Sequence, residues 1–178
     1  MTPVWDITGK TVLVLGAQGL VGTALMRRLE FENCQLIGAA RCDADLTHAE
    51  NAAALIQKLE PDAVILAAAK VGGILASRDN PVSFLEDNLL IQLNVLRSAH
   101  NANVKRLLLL GSSCIYPKHA PQPISEASLM TGPLEPTNDA YAIAKIAGIR
   151  LMLTDSIMVD VRFLRCRLTY MGRMIISI

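Results

Sequence analysis

One short segment near the N-terminus constrains the fold of this chain more than any other. The run Thr11–Leu15 contains four consecutive aliphatic residues, which is the pattern of a β-strand buried on both faces. Gly16 ends this run, and the next glycines, Gly19 and Gly22, follow at three-residue spacing. Residues 20–30 then show helical periodicity. A buried strand that turns through glycines directly into a helix is typical of a parallel sheet, whose strands are joined by helical crossovers.

The rest of the chain repeats this alternation. Further strands are predicted at residues 35–40, 63–67 and 105–111, and further helices at residues 49–59, 81–103 and 141–151. Five of the eight prolines lie in residues 116–136, which predicts a loop there. Buried strands that alternate with helices predict an α/β fold with a doubly wound parallel sheet.

Composition excludes several classes of protein. The 178 residues suit one domain, and 52% are hydrophobic while only 19% are charged, which excludes a disordered chain. The net charge of +1 and the aromatic content of 4% argue against nucleic acid as a partner. The longest apolar run, residues 12–26, is interrupted by Gln18 and glycines and is shorter than the roughly 20 residues of a bilayer span. We therefore expect neither nucleic acid nor a membrane as a partner.

The four cysteines do not predict a metal site. Cys34, Cys42, Cys114 and Cys166 form no CxxC pair and have no histidines at ligand spacing. A disulfide framework is not expected in a chain with this much apolar core material. The N-terminus has no basic segment ahead of an apolar stretch, so no secretory signal is predicted. These features favour a reduced protein in the cytoplasm.

The three glycines of the first turn also predict a ligand. The first allows a tight turn, the second lets the backbone approach a pyrophosphate, and the third lets the helix pack on the strand. Free N–H groups and the helix dipole favour a phosphate at the start of the helix. The spacing therefore predicts a dinucleotide site, although glycines retained only for packing are the alternative.

Arg41 follows the second predicted strand, where the adenosine ribose of a nicotinamide cofactor is bound. NAD would favour an acidic residue there, whereas a guanidinium can bind the 2′-phosphate of NADP. A solvated surface arginine is the alternative. Asp45 could face the adenine or cap the next helix.

A second group of polar residues lies in the later part of the chain. Tyr141 and Lys145 are four residues apart on one helix face, and the lysine charge is expected to lower the pKa of the tyrosine. The phenol could then exchange a proton with a carbonyl near neutral pH. Ser112 directly follows the fourth predicted strand, where open α/β sheets bind ligands, and could donate to the same oxygen. Cys114, taken alone, is expected to be a small buried side chain.

These residues together resemble the extended short-chain dehydrogenase/reductase superfamily, whose NAD-dependent epimerase/dehydratase branch acts on sugar nucleotides. Three blocks, residues 66–73, 110–118 and 134–148, are similar to the GDP-L-fucose synthase family. The resemblance extends over residues 10–150. It implies an NAD(P)-binding Rossmann fold and an NADPH-dependent enzyme.

The activity implied by the resemblance has two stages. GDP-4-keto-6-deoxy-D-mannose is epimerised at C3 and C5, and its 4-keto group is then reduced to give GDP-L-fucose. The resemblance implies that Ser112, Tyr141 and Lys145 form the reductase triad, with Tyr141 as proton donor. It also implies that Cys114 is the epimerisation base, which replaces the core role expected from its position alone. A family-like homodimer through the helices 81–103 and 141–151 is expected.

The resemblance also implies which residues bind NADP(H). They are Gly16, Gln18, Gly19, Leu20, Val21, Gly22, Arg41, Asp45, Leu46, Ala67, Ala68, Leu110 and Lys145. One departure concerns the glycine loop, where the family often has a His-Arg pair and this chain has Ala17 and Gln18. We therefore expect weaker affinity for the 2′-phosphate.

After residue 150 the resemblance ends. Residues 1–150 are expected to form the cofactor-binding domain and residues 151–178 a non-homologous tail, with the family's C-terminal substrate domain absent. A shifted reading frame over residues 165–178 permits codons for the family segment Met-Pro-Thr-Asn-Leu-Tyr-Gly-Pro, which predicts a frameshift. The parallel sheet is then expected to be incomplete at its C-terminal end, and turnover to be weak or absent.

The sequence is compatible with two other functions. One is a catalytically inactive NADP-binding remnant, and the other is a different sugar-nucleotide epimerase or dehydratase. Cys114 favours the synthase over the second alternative, because epimerisation at two centres needs a base there.

Overall fold

The computed structural model of this protein describes residues 5–154, 167–168 and 174–175. In chain order the elements are β1 (Thr11–Leu15), α1 (Leu20–Leu29), β2 (Gln35–Ala39), α2 (Ala49–Leu59), β3 (Ala63–Leu66), α3 (Ile74–Asp79), α4 (Pro81–Asn101), β4 (Arg106–Leu109), α5 (Asp139–Thr154), β5 (Arg167–Leu168) and β6 (Met174–Ile175). Short 3₁₀ turns lie at Ser113–Ile115 and Glu126–Ser128.

The strands β1 to β4 form a parallel sheet in the order β2-β1-β3-β4. From the central strand β1 the chain moves to β2 on one side, and it then crosses over to β3 and β4 on the other. This reversal places a crevice at the carboxyl ends of β1 and β3, where ligands bind in open α/β sheets. The predicted doubly wound parallel sheet is therefore confirmed.

Alternate residues of β1 face two separate apolar cores. Val12 and Val14 pack with α1 on one face of the sheet, together with Leu25 and Leu29. Leu13 and Leu15 pack on the opposite face against residues of α2, α4 and α5. Because each face is covered by helices, the strand has no polar side, which is why its sequence reads as a continuous apolar run.

The observed elements differ from the predicted ones mainly at their ends. The helix α3 was not predicted, because its six residues are too few to show a periodic pattern. The helix α5 begins at Asp139 and continues to Thr154, beyond the predicted limit of 151. Met152 on this last turn is buried in the larger core.

The strands β5 and β6 form a two-residue antiparallel pair. The rest of the tail, residues 155–166, 169–173 and 176–178, lies outside the described residues. The segment to which the predicted frameshift applies belongs largely to these ranges. Within the described ranges, none of the helices is both long and apolar enough to cross a bilayer.

Candidate active site

The loop between β1 and α1 is too tight for side chains at two of its glycines. Gly16 has φ of +86°, and a Cβ there would lie 2.6 Å from the backbone nitrogen of Ala68. A Cβ at Gly22 would lie 2.0 Å from the carbonyl oxygen of Gly16. The N-cap of α1, Gly19, supplies no side-chain hydrogen bond to the amides of the first turn. The loop therefore leaves the amides of the first turn of α1 without a side-chain cap and keeps side chains away from them, which suits a pyrophosphate.

A cavity of about 540 Å³ opens beside this loop, at the carboxyl ends of β1, β2 and β3. Most of the residues predicted to bind the cofactor line it: Gly16, Gln18, Gly19, Leu20, Val21, Arg41, Asp45, Leu46, Ala67 and Ala68. Three others, Gly22, Leu110 and Lys145, do not line the cavity itself. Gly22 lies in the first turn of α1 against the Gly16 carbonyl. Leu110 directly follows β4, and Lys145 lies on α5 and donates to the Leu110 carbonyl oxygen.

Arg41 and Asp45 form an ion pair at one side of the cavity. The Arg41 guanidinium donates from Nη2 to Asp45 Oδ2 over 3.1 Å, and its side chain is 83% exposed. Two hydrogen bonds from Thr47 and the nearby guanidinium lower the pKa of Asp45 to about 2. Asp45 does not cap α2, whose N-cap residue is His48. That alternative is wrong because the carboxylate closes the turn before the helix instead.

Lys70 and Asp87 were not predicted as site residues, yet both line the cavity. Lys70 Nζ donates to Asp87 Oδ2 over 2.7 Å and also to Ser83 Oγ. The Asn88 side chain holds the Lys70 backbone by accepting from its N–H and donating to its carbonyl oxygen. The signal for Lys70 was its place just after a buried strand, whereas Asp87 lies within a helix and carried none.

The predicted catalytic residues lie together at the end of β4 and on α5. Ser112 caps the 3₁₀ turn that contains Cys114, and Cys114 N donates to Ser112 Oγ over 3.3 Å. The Ser112 hydroxyl also interacts with the phenol of Tyr141 and acts to lower its pKa. Lys145 Nζ lies 5.9 Å from the centre of the Tyr141 ring and donates to the carbonyl oxygen of Leu110 over 3.1 Å.

The pKa of Tyr141 lies above its usual value, so the expected lowering by Lys145 is wrong for this structure. Burial of the phenol raises this pKa most, the charge of a Cys114 thiolate adds to it, and the hydrogen bond from Ser112 acts in the opposite direction. Lys145 is itself only 3% exposed, and burial lowers the pKa of its ammonium to about 8. The lysine lies beside the ring and bonds to a carbonyl oxygen, so it does not offset the burial of the phenol.

Cys114 is only half-buried, in contrast to the core position expected from the residue alone. The turn that carries it packs against α5. Its thiol lies close enough to the Tyr141 phenol for its negative charge to raise the pKa of that phenol.

Comparison with known proteins identifies the family of this chain. Residues 12–170 match the model of the NAD dependent epimerase/dehydratase family. The chain belongs to this family. It is 52% identical over 149 residues to the GDP-L-fucose synthase of Sinorhizobium fredii (strain NBRC 101917 / NGR234), a match that covers 84% of this chain and 48% of that protein. The chain thus spans about half the length of the curated relatives it matches.

Two solved structures show the same fold. The chain superposes on DdhaC with a TM-score of 0.83 at 36% identity, over 90% of this chain and 46% of the other. It superposes on MlghC, a GDP-mannoheptose C4 reductase from Campylobacter jejuni with NADP bound, with a TM-score of 0.80 at 30% identity. That match covers 90% of this chain and 48% of the reductase.

Proposed function

We propose that residues 1–150 form the cofactor-binding part of an NADPH-dependent GDP-L-fucose synthase. The reaction would convert GDP-4-keto-6-deoxy-D-mannose to GDP-L-fucose by 3,5-epimerisation followed by 4-keto reduction. One observation carries this proposal. Ser112, Tyr141 and Lys145 lie together with Cys114 at the end of β4, on the same sheet edge as the cavity beside the glycine loop.

The cavity suits a dinucleotide, because its glycine loop leaves no room for side chains and the first turn of α1 has no side-chain cap on its amides. In the proposal, the loop 16–22 holds the pyrophosphate, Arg41 lies at the adenosine ribose, and Lys145 holds the nicotinamide ribose. NADP(H) would supply the hydride for reduction at C4.

Tyr141 would act as the acid in the reduction. A tyrosine phenol is protonated at neutral pH, and burial raises the pKa of Tyr141 further, so it carries a proton that it can donate to the oxygen at C4. Ser112, whose hydroxyl interacts with the phenol, would orient it.

Cys114 would serve the epimerisation. The 4-keto group of the substrate acidifies the protons at C3 and C5. A thiolate near the phenol could remove each proton to leave an enolate, and a proton from solvent delivered to the opposite face of the same carbon would complete the inversion. Its half-buried position leaves the sulfur accessible from the sheet edge.

A titration of the full chain with NADPH, followed by nicotinamide fluorescence, tests the cofactor site. Addition of the keto-sugar nucleotide then tests turnover through loss of NADPH absorbance. Tyr141→Phe should abolish turnover and keep NADPH binding, whereas Tyr116→Phe is a matched control that should keep both. Lack of NADPH binding by the folded wild type would refute the proposal, and binding without turnover would favour the inactive cofactor-binding remnant.

A reductase of another GDP-4-keto sugar is the second candidate. The superposition on a GDP-mannoheptose C4 reductase supports it, because that protein shares the fold over 90% of this chain. Cys114 distinguishes the candidates: a synthase should exchange solvent deuterium into C3 and C5 of the substrate, and Cys114→Ser should stop that exchange. A reductase without epimerase activity would show no exchange in the wild type.

The partners beyond the sugar nucleotide are proposals as well. Leu93 on α4 and Ile143 on α5 are partly exposed, which supports the homodimer expected through these helices. Analytical ultracentrifugation would test it. The cytoplasmic location stays a prediction.

A further inference from the structure

Among the described residues, every charged side chain that lines the cavity is paired with another that lines it. Arg41 is paired with Asp45 at 3.1 Å, and Lys70 is paired with Asp87 at 2.7 Å. The lining therefore has no net charge. The cationic side chains that a cofactor with several phosphate charges would need are therefore already paired with carboxylates.

The two partners of the Arg41 pair differ in how firmly they are held. Asp45 Oδ1 accepts from the backbone N–H of Thr47 over 3.1 Å and from its hydroxyl over 2.7 Å. The other oxygen of Asp45, Oδ2, is thereby left to accept from the Arg41 guanidinium. The pKa of about 2 keeps this carboxylate ionised across the physiological range. Arg41, in contrast, is mostly exposed and is held by no other side chain that the structure describes.

The glycine loop offers no second cation to a phosphate at this end of the cavity. The lining residue there is Gln18, which is neutral. Lys70 is engaged by Asp87 and Ser83 on α4. Arg41 is thus the one guanidinium of the described lining, and Asp45 competes for it.

We propose that Asp45 sets the cofactor selectivity of this chain by holding Arg41 away from a 2′-phosphate. The phosphate can use the guanidinium only when the ion pair opens or is shared, and the fixed carboxylate repels a phosphate of like charge. The chain then binds NADPH only a few-fold more tightly than NADH. This inference rests on the proposed function, since it places a nicotinamide dinucleotide in the cavity.

The test is the ratio of the NADH dissociation constant to the NADPH dissociation constant, measured by nicotinamide fluorescence on the full chain without substrate. Asp45→Asn removes the charge, and its side-chain oxygen can still accept from Thr47. We expect the ratio to rise about fivefold, since an exposed ion pair alone is worth a factor of roughly two to five. The rise should shrink in high salt, because exposed charges are screened.

Asp43→Asn is the matched control. Asp43 is also an exposed carboxylate, which accepts from the backbone N–H of Ala40 over 2.7 Å, but it is not paired with Arg41. Its substitution changes the net charge equally and should leave the ratio unchanged. A contribution of Asp45 to adenine binding would weaken both cofactors alike, so it would cancel in the ratio.

Arg41→Gln tests the competition between Asp45 and the 2′-phosphate for the guanidinium. Arg41 is the exposed partner of the pair, so its replacement does not threaten folding. In the otherwise wild-type chain, Arg41→Gln should lower the ratio of the NADH to the NADPH dissociation constant by less than about threefold, because Asp45 already engages the guanidinium. In the Asp45→Asn background it should lower the ratio by about tenfold, as expected for loss of a charge-assisted phosphate contact.

Three results would overturn the inference. They are an unchanged ratio in Asp45→Asn, an equal rise in Asp43→Asn, and a large loss of selectivity in Arg41→Gln alone. In each of these cases both cofactors still bind, so the proposed function survives. If the folded wild type binds neither cofactor, the proposed function fails and the inference fails with it.

Discussion

Replacement of Gly148 by alanine should disrupt the contact between α4 and α5. A Cβ at this position would lie 2.1 Å from Gln92 Oε1 and 2.7 Å from its Cδ. Gln92 is only 2% exposed, and its Nε2 donates to the carbonyl oxygens of Asn88 and Ala144 over 2.8 and 2.9 Å. The added methyl group must therefore displace a buried amide that links the two helices.

The expected decrease in the free energy of unfolding follows from these contacts. Overpacking of a core site costs about 1–3 kcal/mol. Displacement of Gln92 also removes two hydrogen bonds, each worth about 1 kcal/mol. The higher helix propensity of alanine offsets about 1 kcal/mol of this loss of stability. We therefore expect Gly148→Ala to lower the free energy of unfolding by about 3 kcal/mol.

Urea denaturation followed by far-UV circular dichroism measures this loss. The control is Gln92→Ala, which removes the side chain that the new methyl group would meet. In that background Gly148→Ala should cost less than about 1 kcal/mol, since Leu109 Cδ2, at 3.1 Å, is the next atom in its way. An equal cost in both backgrounds, or a neutral substitution in the wild type, would refute the reasoning.

Three further predictions concern the site. Gly22→Ala would place a methyl group against the Gly16 carbonyl oxygen, so it should lower the free energy of unfolding by at least about 2 kcal/mol in urea and weaken NADPH binding. The Lys145 pKa of about 8 lies below the 10.5 of a free lysine, so the unfolded chain binds more protons between these pH values. Wild-type stability should therefore rise by about 3 kcal/mol relative to Lys145→Met as pH increases through that window; a constant difference in urea titrations would contradict this. Asn88→Leu leaves the Lys70 amide without its acceptor, so it should destabilise the fold by about 2 kcal/mol and speed hydrogen exchange at that amide.

Much of the fold could be predicted because its signals are local. The strand Thr11–Leu15 and the helix Ala49–Leu59 begin and end where the apolar pattern does. The turn at Gly16 was predictable since its positive φ and close backbone contact require a residue without a side chain. The helix Ile74–Asp79 was missed because one and a half turns carry no periodicity. The proposed roles of Ser112, Cys114, Tyr141 and Lys145 stay predictions.

The sequence by itself determined the alternation of buried strands and helices, the glycine loop and the likeness to one enzyme family. These depend on which residue types follow one another at fixed spacing. Only the tertiary structure decided that the Tyr141 pKa is raised, that Arg41 is engaged by Asp45, and that Lys70 reaches the cavity. The reason is that burial and ion pairing depend on distances between residues far apart in the chain or on loops without periodicity. No spacing in the sequence determines those distances.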